Sequence, residues 1–304
     1  SVVRVAVRKG FNVVCTMHDY FLACPNGGFF NYPKNKICHL SPLSLQCIFE
    51  DCDMRCYSNK LWRIFRHSVQ KGLGLMPSGI KYFIAVSPLS MDILQPYLPK
   101  GATVFLIENP VNIRKFAPVD VKKNQLFLFI GRLSREKGPH LFAEVASKLG
   151  IEAVFVGDGP LRREISNICP FSLITGWLDH SSMRNFLAMA RAVVVPSLLY
   201  ETQGLVVYEA AAMGIPAVVS DSLAARAFIE DGKTGLWFKT GDVDDLARKI
   251  KLLHDDEAAE QMGKAVYAKY WSYPKTIDMH IESLERCYDY VINRNAISFY
   301  DVHV

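Results

Sequence analysis

The feature that most constrains the fold is a repeated order of strand, loop and helix in the second half of the chain. Five continuous apolar runs have the character of buried strands, at 125–131, 152–157, 172–176, 192–197 and 216–221. Helical patterns alternate with these runs, at 137–149, 160–168, 181–190, 204–213 and 242–254. Continuous apolar runs of this length are typical of parallel strands whose two faces are both covered by helices. The second half is therefore predicted to be a doubly wound α/β domain.

The first half of the chain follows the same order less regularly. Apolar runs end at His18-Asp19, at Ser87-Pro88 and at Asn109-Pro110, which predicts a second, smaller set of parallel strands. Residues 20–60 are rich in Pro, Asn, Gly and Cys, and they are expected to form a long ordered loop. The chain begins with Ser and its first residues read as the interior of a helix, so we expect the natural N-terminus to lie upstream.

A Pro-rich, polar segment at 109–125 has the composition of a linker between two domains. We therefore predict a partial N-terminal domain over 1–118 and a C-terminal domain over 119–285. The remaining residues, 286–304, are expected to form a helical tail that crosses back to the first domain.

Charge is unevenly distributed along the 304 residues. Residues 1–118 contain 14 Lys and Arg against 6 Asp and Glu, and the rest contains 21 against 24. A basic first half favours an anionic surface or acceptor, and an ordinary lysine-rich surface explains it equally well. The basic amphipathic segment 59–76 can lie on a membrane or cover the sheet, and covering is favoured. No apolar run is long enough to span a membrane, so we expect a cytoplasmic protein with peripheral membrane contact and no nucleic-acid partner.

Several of the eight cysteines cluster between residues 24 and 56. Without secretory features, a disulfide framework is not expected, and reduced structural thiols are the default interpretation. The alternative is a zinc site, since four thiolates can close a tetrahedral coordination sphere. The cysteines considered for this site are Cys38, Cys47, Cys52 and Cys56.

Polar and glycine residues follow the predicted strands of the second half, where open α/β sheets bind ligands. The first of these strands is followed by Gly131, Arg132 and Lys137. The planar guanidinium of an arginine and the compact ammonium of a lysine together suit a diphosphate. Ordinary loop charges explain the two cations as well. Trp177 and Leu178 follow a later strand and are able to sandwich a flat base, although a core or lid tryptophan is equally compatible.

Two glutamates flank the start of a predicted helix at Gly204. Glu201 lies in the preceding loop and Glu209 within the helix, so they are not expected to act as an acid/base pair. The free N–H groups and partial positive charge at a helix N-terminus suit a phosphate. Glu209 is placed to accept hydrogen bonds from paired hydroxyls.

Taken together, these motifs resemble glycosyltransferase family 4. The resemblance rests on Gly131-Arg132-Leu133, Glu136-Lys137-Gly138, Gly157-Asp158-Gly159-Pro160, Pro196-Ser197 and the two glutamates followed by Ala-Ala-Ala-Met-Gly-Ile-Pro. It implies a GT-B fold, α/β in class, with two Rossmann-like doubly wound domains that face a cleft, the first of them incomplete here. It also implies a retaining transferase that uses a nucleoside-diphosphate sugar as donor and requires neither cofactor nor metal.

The same resemblance implies a role for each candidate residue. The donor diphosphate is expected to contact Gly131, Arg132, Lys137, Gly204, Leu205 and Val206. Glu209 is expected to bind the ribose, and the base is expected near Gly157, Trp177 and Leu178. Glu201 and His18 are expected to contact the donor sugar as catalytic residues.

Two functions stay open on the sequence alone. The first is sugar transfer to a glycan or lipid-linked acceptor, in the synthesis of a cell-surface polysaccharide or glycoconjugate. The alternative is a truncated, catalytically silent protein that only binds the nucleotide-sugar. A sugar-nucleotide epimerase is disfavoured, because the spacing of the two glutamates points to transfer.

Overall fold

The computed structural model describes residues 1–293, and the contacts within it divide the chain into two compact units. The first unit comprises Ser1–Pro33, Cys38–Pro110 and, within the described residues, 275–293. The second unit comprises Lys34–Ile37 and Val111–Pro274. The main changes of unit therefore come at 110/111 and 274/275, whereas the sequence-based division was placed at 118/119 and 285/286.

The strands and helices of the described residues are numbered in chain order. The strands are β1 (Val14–Met17), β2 (Phe30–Asn31), β3 (Lys36–Ile37), β4 (Tyr82–Ala85), β5 (Thr103–Leu106), β6 (Leu126–Ile130), β7 (Ala153–Val156), β8 (Leu173–Gly176), β9 (Ala190–Val195), β10 (Ala217–Ser220) and β11 (Leu236–Phe238). The helices are α1 (Val2–Arg8), α2 (Leu45–Phe49), α3 (Tyr57–Gly72), α4 (Pro88–Leu94), α5 (Pro139–Leu149), α6 (Arg162–Ile168), α7 (His180–Ala188), α8 (Leu205–Ala212), α9 (Val243–Leu252), α10 (Asp256–Ser272) and α11 (Ile277–Asn293).

The second unit contains a parallel sheet with the strand order β11-β10-β9-β6-β7-β8. Its strands β7, β9 and β10 are buried along their whole length, which is why they are continuous apolar runs in the sequence. The chain proceeds from β6 to one edge through β7 and β8, and then returns to β9 on the other side of β6. The order of strands therefore reverses between β6 and β9, and open α/β sheets bind ligands at such a point.

The first unit contains a smaller parallel sheet with the order β1-β4-β5. Helix α11 packs on this sheet, with Cys287 and Val291 buried against Tyr82 and Phe105. The ring of Tyr290 adds an edge-on contact with the ring of Phe105, at 5.5 Å between centroids. Part of the predicted tail, up to residue 293, is thus the end of α11, and the remainder lies outside the described residues.

The segment predicted as a long loop, 20–60, contains the short elements β2, β3 and α2, and it ends within α3. Helix α3 is the predicted basic amphipathic helix, but its orientation differs from the expectation. Lys60 and His67 are buried, whereas the apolar side chains of Trp62 and Phe65 are exposed. The interpretation that the apolar side of this helix covers the sheet is therefore wrong. Within residues 1–293, no helix has both the length and the apolar character needed to cross a bilayer.

Candidate functional site

The loops after β6 and β7 touch each other through their backbones. Gly131 directly follows β6 and Gly157 directly follows β7, with φ angles of 152° and 138°. A Cβ atom on Gly157 would lie 1.9 Å from the carbonyl oxygen of Gly131, so no side chain fits there. The amide of Leu133 donates to the carbonyl of Asp158 at 3.0 Å. These backbone contacts hold the two loops together at the carboxyl ends of neighbouring strands.

The loop after β6 is joined in the same way to the loop after β9. A Cβ atom on Gly138, whose φ is 70°, would lie 1.9 Å from the carbonyl oxygen of Pro196. The amide of Leu198 donates to the carbonyl of Glu136 at 2.8 Å. Because β6 and β9 are adjacent, this contact lies at the place where the strand order reverses.

A cation and a carboxylate meet at this contact. The Nζ atom of Lys137 lies 2.6 Å from Oε1 of Glu201, and Ser197 Oγ donates to Oε2 of the same carboxylate at 2.6 Å. Both side chains of the ion pair are partly exposed to solvent, so a ligand is able to reach them. Arg132, the second predicted cation of this loop, is exposed. The structure therefore brings Lys137 and Glu201 together, although the sequence assigned them to different parts of a ligand.

Helix α8 begins beside this ion pair. Gly204 is its N-cap, with a left-handed φ of 74°, and Leu205 and Val206 form its first turn. The N–H groups at the start of a helix have no acceptor within that helix, and they carry a partial positive charge. No acidic residue lies in the first turn of α8 to neutralise this charge. The loop before the helix is tied down where the amide of Ala224 donates to the carbonyl of Glu201 at 3.1 Å.

Glu209 lies further along α8 and is half-buried. Burial raises the pKa of its carboxyl above the usual range, and the nearby charge of His180 offsets part of that rise. A carboxylate shielded from water in this way gains from accepting hydrogen bonds of a ligand, for example from two adjacent hydroxyls. His180 is the first residue of α7, and it was not identified from the sequence. Its position directly after the Trp177–Asp179 loop was the only available signal.

The remaining predicted residues of the second unit lie after β8. Trp177 is 67% exposed and Leu178 is half-buried, so the indole ring is a surface group and not part of the core. The amide of Gly157 donates to the carbonyl of Gly176 at 2.9 Å, which joins the loops after β7 and β8. An exposed indole on a fixed loop offers a flat apolar face for stacking.

His18 belongs to the first unit, where it is exposed immediately after β1. The other candidate residues for donor binding and catalysis belong to the second unit. Of the predicted diphosphate and sugar residues, the structure brings Lys137 and Glu201 into direct contact, and the start of α8 follows Glu201 closely in the chain.

The cysteines of the proposed zinc site are free thiols. Cys47 and Cys52 are buried and border a small apolar cavity together with Cys38, whereas Cys56 is exposed and does not line it. Burial raises the pKa of Cys52 to about 11, and the charge of Lys60 lowers it in part. Across residues 1–293, no three His, Cys, Asp or Glu side chains are grouped so that they could hold a metal ion. The zinc alternative therefore has no ligand set in the described part of the chain.

Comparison with known proteins places this geometry in a family. The sequence model of the family "Glycosyl transferases group 1" matches residues 112–269, which is more than half of the chain and contains the loops just described. The chain belongs to this family. The group 1 match covers β6 to β11 together with most of α10, and it therefore covers the second unit almost entirely.

Two relatives illustrate what this group 1 member is similar to. The sulfoquinovosyl transferase SQD2 of Arabidopsis thaliana is 35% identical over 147 residues, which is 46% of this chain and 29% of that protein. The UDP-Gal:alpha-D-GlcNAc-diphosphoundecaprenol alpha-1,3-galactosyltransferase of Escherichia coli is 28% identical over 187 residues, 53% of this chain and 48% of that protein. The chain thus spans less than half the length of these two curated relatives.

Among solved structures, HepE of Anabaena in complex with UDP and glucose matches with a TM-score of 0.69 and 16% identity. The match covers 95% of this chain and 74% of that one. Similarity at this level of identity establishes the fold, and the neighbouring structures are GT-B glycosyltransferases. The GT-B fold predicted from the sequence, with Rossmann-like α/β units, is confirmed.

Proposed function

We propose that the second unit binds a nucleoside-diphosphate sugar and that the protein transfers the sugar to an acceptor. The observation that carries this proposal is the ion pair between Lys137 and Glu201, which lies between the end of β6 and the start of α8. This arrangement places a cation, a carboxylate and the N-terminus of a helix beside one another, where the order of strands reverses between β6 and β9. A nucleoside-diphosphate sugar presents an anionic diphosphate and a polyhydroxyl ring. The cation and the helix N-terminus suit the diphosphate, and the carboxylate suits the hydroxyl groups.

The leaving group of such a reaction is the nucleoside diphosphate. When the bond between the anomeric carbon and the phosphate oxygen breaks, positive charge develops on the sugar and negative charge on the diphosphate. Arg132 and Lys137, with the first amides of α8, are proposed to stabilise that negative charge. These groups are fixed by the rigid loops around Gly131 and Gly138, so little reorganisation accompanies the reaction. Two protein cations then supply the charge that a divalent metal supplies in other transferases.

The ribose, the base and the sugar of the donor are proposed to contact residues on either side of this diphosphate site. Glu209 accepts hydrogen bonds from the ribose hydroxyls, and Trp177 with Leu178 provides a surface for the base beside Gly157. The sugar lies next to Glu201, whose carboxylate is already fixed by Ser197. A donor-sugar role for His18 is proposed on the family resemblance alone.

We further propose that transfer is of the retaining, family 4 type, with a hexosyl donor. The acceptor is proposed to be a glycan or a lipid-linked intermediate of cell-surface polysaccharide or glycoconjugate synthesis. The support for this class is the name of the E. coli relative, which specifies a diphosphoundecaprenol acceptor. A basic first half, with 14 cationic and 6 acidic residues over 1–118, is compatible with such an anionic acceptor.

A donor panel tests this function. The release of nucleoside diphosphate is measured from UDP-, GDP- and ADP-sugars, with and without lipid-linked acceptors, for the wild type and for Arg132→Ala. Release from one donor, lost in the variant while the variant still unfolds cooperatively, supports transfer. Binding of a donor without release from any member of the panel supports the alternative, a silent nucleotide-sugar-binding protein.

A further inference from the structure

Helix α3 has its polar and apolar sides reversed relative to an ordinary surface helix. Lys60 and His67, seven residues apart, lie on its buried side, with only 2% and 3% of their surfaces exposed. Trp62 and Phe65 lie on the outer side and are 63% and 58% exposed. Soluble proteins normally bury large apolar side chains and leave lysines exposed, so this reversal is informative.

The reversed orientation is held by specific bonds. The Nζ atom of Lys60 donates to the backbone carbonyls of Cys47 and Glu50, so the ammonium is bonded inside the fold. Tyr57, at the start of α3, donates its hydroxyl to the carbonyl of Ile48 at 2.9 Å. These contacts fix the polar side of the helix inward, and the outward direction of the apolar side follows from helical geometry.

The outer face of α3 is a continuous apolar stripe. Its members recur at the three- and four-residue spacing of one helix side and continue just beyond the helix end; they are Leu61, Trp62, Phe65, Val69 and Leu73. The rings of Trp62 and Phe65 are 5.6 Å apart between centroids. Helix α1 adjoins this face, because Arg4 donates to the carbonyl of Leu73 at 3.2 Å, and it adds the exposed side chain of Val2.

An exposed cation borders this face. From Met54 to Met91 the chain contains six lysines and arginines and no aspartate or glutamate, but Lys60 is buried and Arg63 is paired with Asp53 at 2.7 Å. Arg66 is exposed beside the stripe, where its guanidinium lies 5.2 Å from the ring centroid of Phe21. An apolar stripe that contains tryptophan and has an exposed arginine at its border is typical of a helix that lies in the interface of an anionic membrane.

We propose that the outer face of α3 binds the surface of a bilayer that contains anionic lipid. The apolar side chains enter the boundary between headgroups and acyl chains, and the guanidinium of Arg66 contacts the lipid phosphates. This binding site goes beyond the proposed sugar transfer and does not depend on it, because it lies in the first unit and requires no donor. Charge complementarity favours the membrane over a second copy of the chain, whose α3 face would carry the same positive charge.

Vesicle co-sedimentation of the 304-residue chain, without any nucleotide, tests the proposal. The vesicles consist of phosphatidylcholine alone or of phosphatidylcholine with phosphatidylglycerol. Phe65→Ser is compared with Phe171→Ser, since Phe171 is also 58% exposed but belongs to the second unit. Arg66→Gln is compared with Arg184→Gln, since Arg184 is an exposed arginine of α7. Thermal unfolding of each variant confirms that it is folded.

We expect the wild type to bind the anionic vesicles, and binding to weaken in high salt. Phe65→Ser is expected to reduce partitioning at least about fivefold, and Arg66→Gln about fivefold, while both control variants bind like the wild type. Three outcomes would overturn the proposal. They are no binding to anionic vesicles, equal losses in test and control variants, or a dimer in solution that Phe65→Ser dissociates while vesicle binding is absent.

Discussion

Lys137 and Glu201 form an ion pair of 2.6 Å across the two loops that follow β6 and β9. The same carboxylate accepts a hydrogen bond from Ser197, so Glu201 is held from two sides. The residue proposed to bind the diphosphate, Lys137, is therefore in direct contact with the residue proposed to bind the sugar, Glu201. Loss of either side chain is expected to affect the position of the other as well as its own contact with the donor.

Lys137→Ala is predicted to reduce donor turnover by about 10²- to 10³-fold, because it removes a preorganised cation from the leaving group. Its effect on stability is expected to be within about 1 kcal/mol, since the ion pair is partly exposed. Lys148→Ala is the matched control, because Lys148 also forms an ion pair, with Asp244 at 2.8 Å on the surface of the second unit. Equal turnover by the two variants would remove Lys137 from the proposed site.

The backbone of Pro196 lies so close to Gly138 that any side chain at position 138 is predicted to destabilise the fold strongly. Gly138→Ala places a Cβ atom against the carbonyl of Pro196, so we expect a loss of at least about 3 kcal/mol in the free energy of unfolding. Gly150→Ala is the control, because Gly150 has a similar φ of 65° but no atom within 4 Å of the added Cβ. That variant is expected to lose only about 1–2 kcal/mol, from the left-handed backbone alone. Chemical denaturation of both variants measures the difference, and equal losses would contradict the packing argument.

Much of the second unit was predictable from the sequence, because its strands are buried on both faces and leave continuous apolar runs. The predicted strands at 152–157 and 216–221, for example, correspond to β7 and β10, with ends shifted by one residue. Strand β11 was missed, since it has three residues and lies at the edge of the sheet. Such a short segment has too few apolar positions to stand out from a loop.

The contact between Lys137 and Glu201 was not predictable from the pattern, because it depends on β9 lying next to β6. Motif order places residues at strand ends but does not say which ends are neighbours. The orientation of α3 was missed for a different reason. Amphipathic periodicity identifies two sides of a helix, and here the bonds of Lys60 to two backbone carbonyls decide which side is buried.

The elevated pKa of Glu209 predicts a pH-dependent effect on stability. Burial makes the charged carboxylate less favourable in the folded state than in the unfolded state, where the pKa is near 4.5. The folded protein therefore binds the proton more readily, and Glu209 lowers stability at pH values above its folded pKa. This destabilisation fades as the pH falls through the folded pKa towards 4.5.

Glu209→Gln, which lacks the charge, is accordingly expected to be more stable than the wild type at pH 7. The difference between the two proteins is expected to shrink as the pH falls towards 4. Denaturant titrations of both proteins over this range measure the difference directly. If the stability difference between wild type and variant is independent of pH, or grows in acid, burial of the Glu209 carboxylate does not destabilise the folded protein.

Nucleotide binding by the second unit is the central claim, and thermal unfolding in the presence of UDP, GDP or ADP tests it most directly. A nucleotide at about 100 times its dissociation constant stabilises the folded state by about 2.7 kcal/mol, which raises the melting temperature by several degrees. We predict this shift with at least one of the three nucleotides for the wild type and for Glu144→Ala, which alters an exposed glutamate of α5. Glu209→Ala is predicted to lose the shift. The claim is contradicted if none of the three nucleotides stabilises the wild type, or if Glu209→Ala is stabilised as much as the wild type.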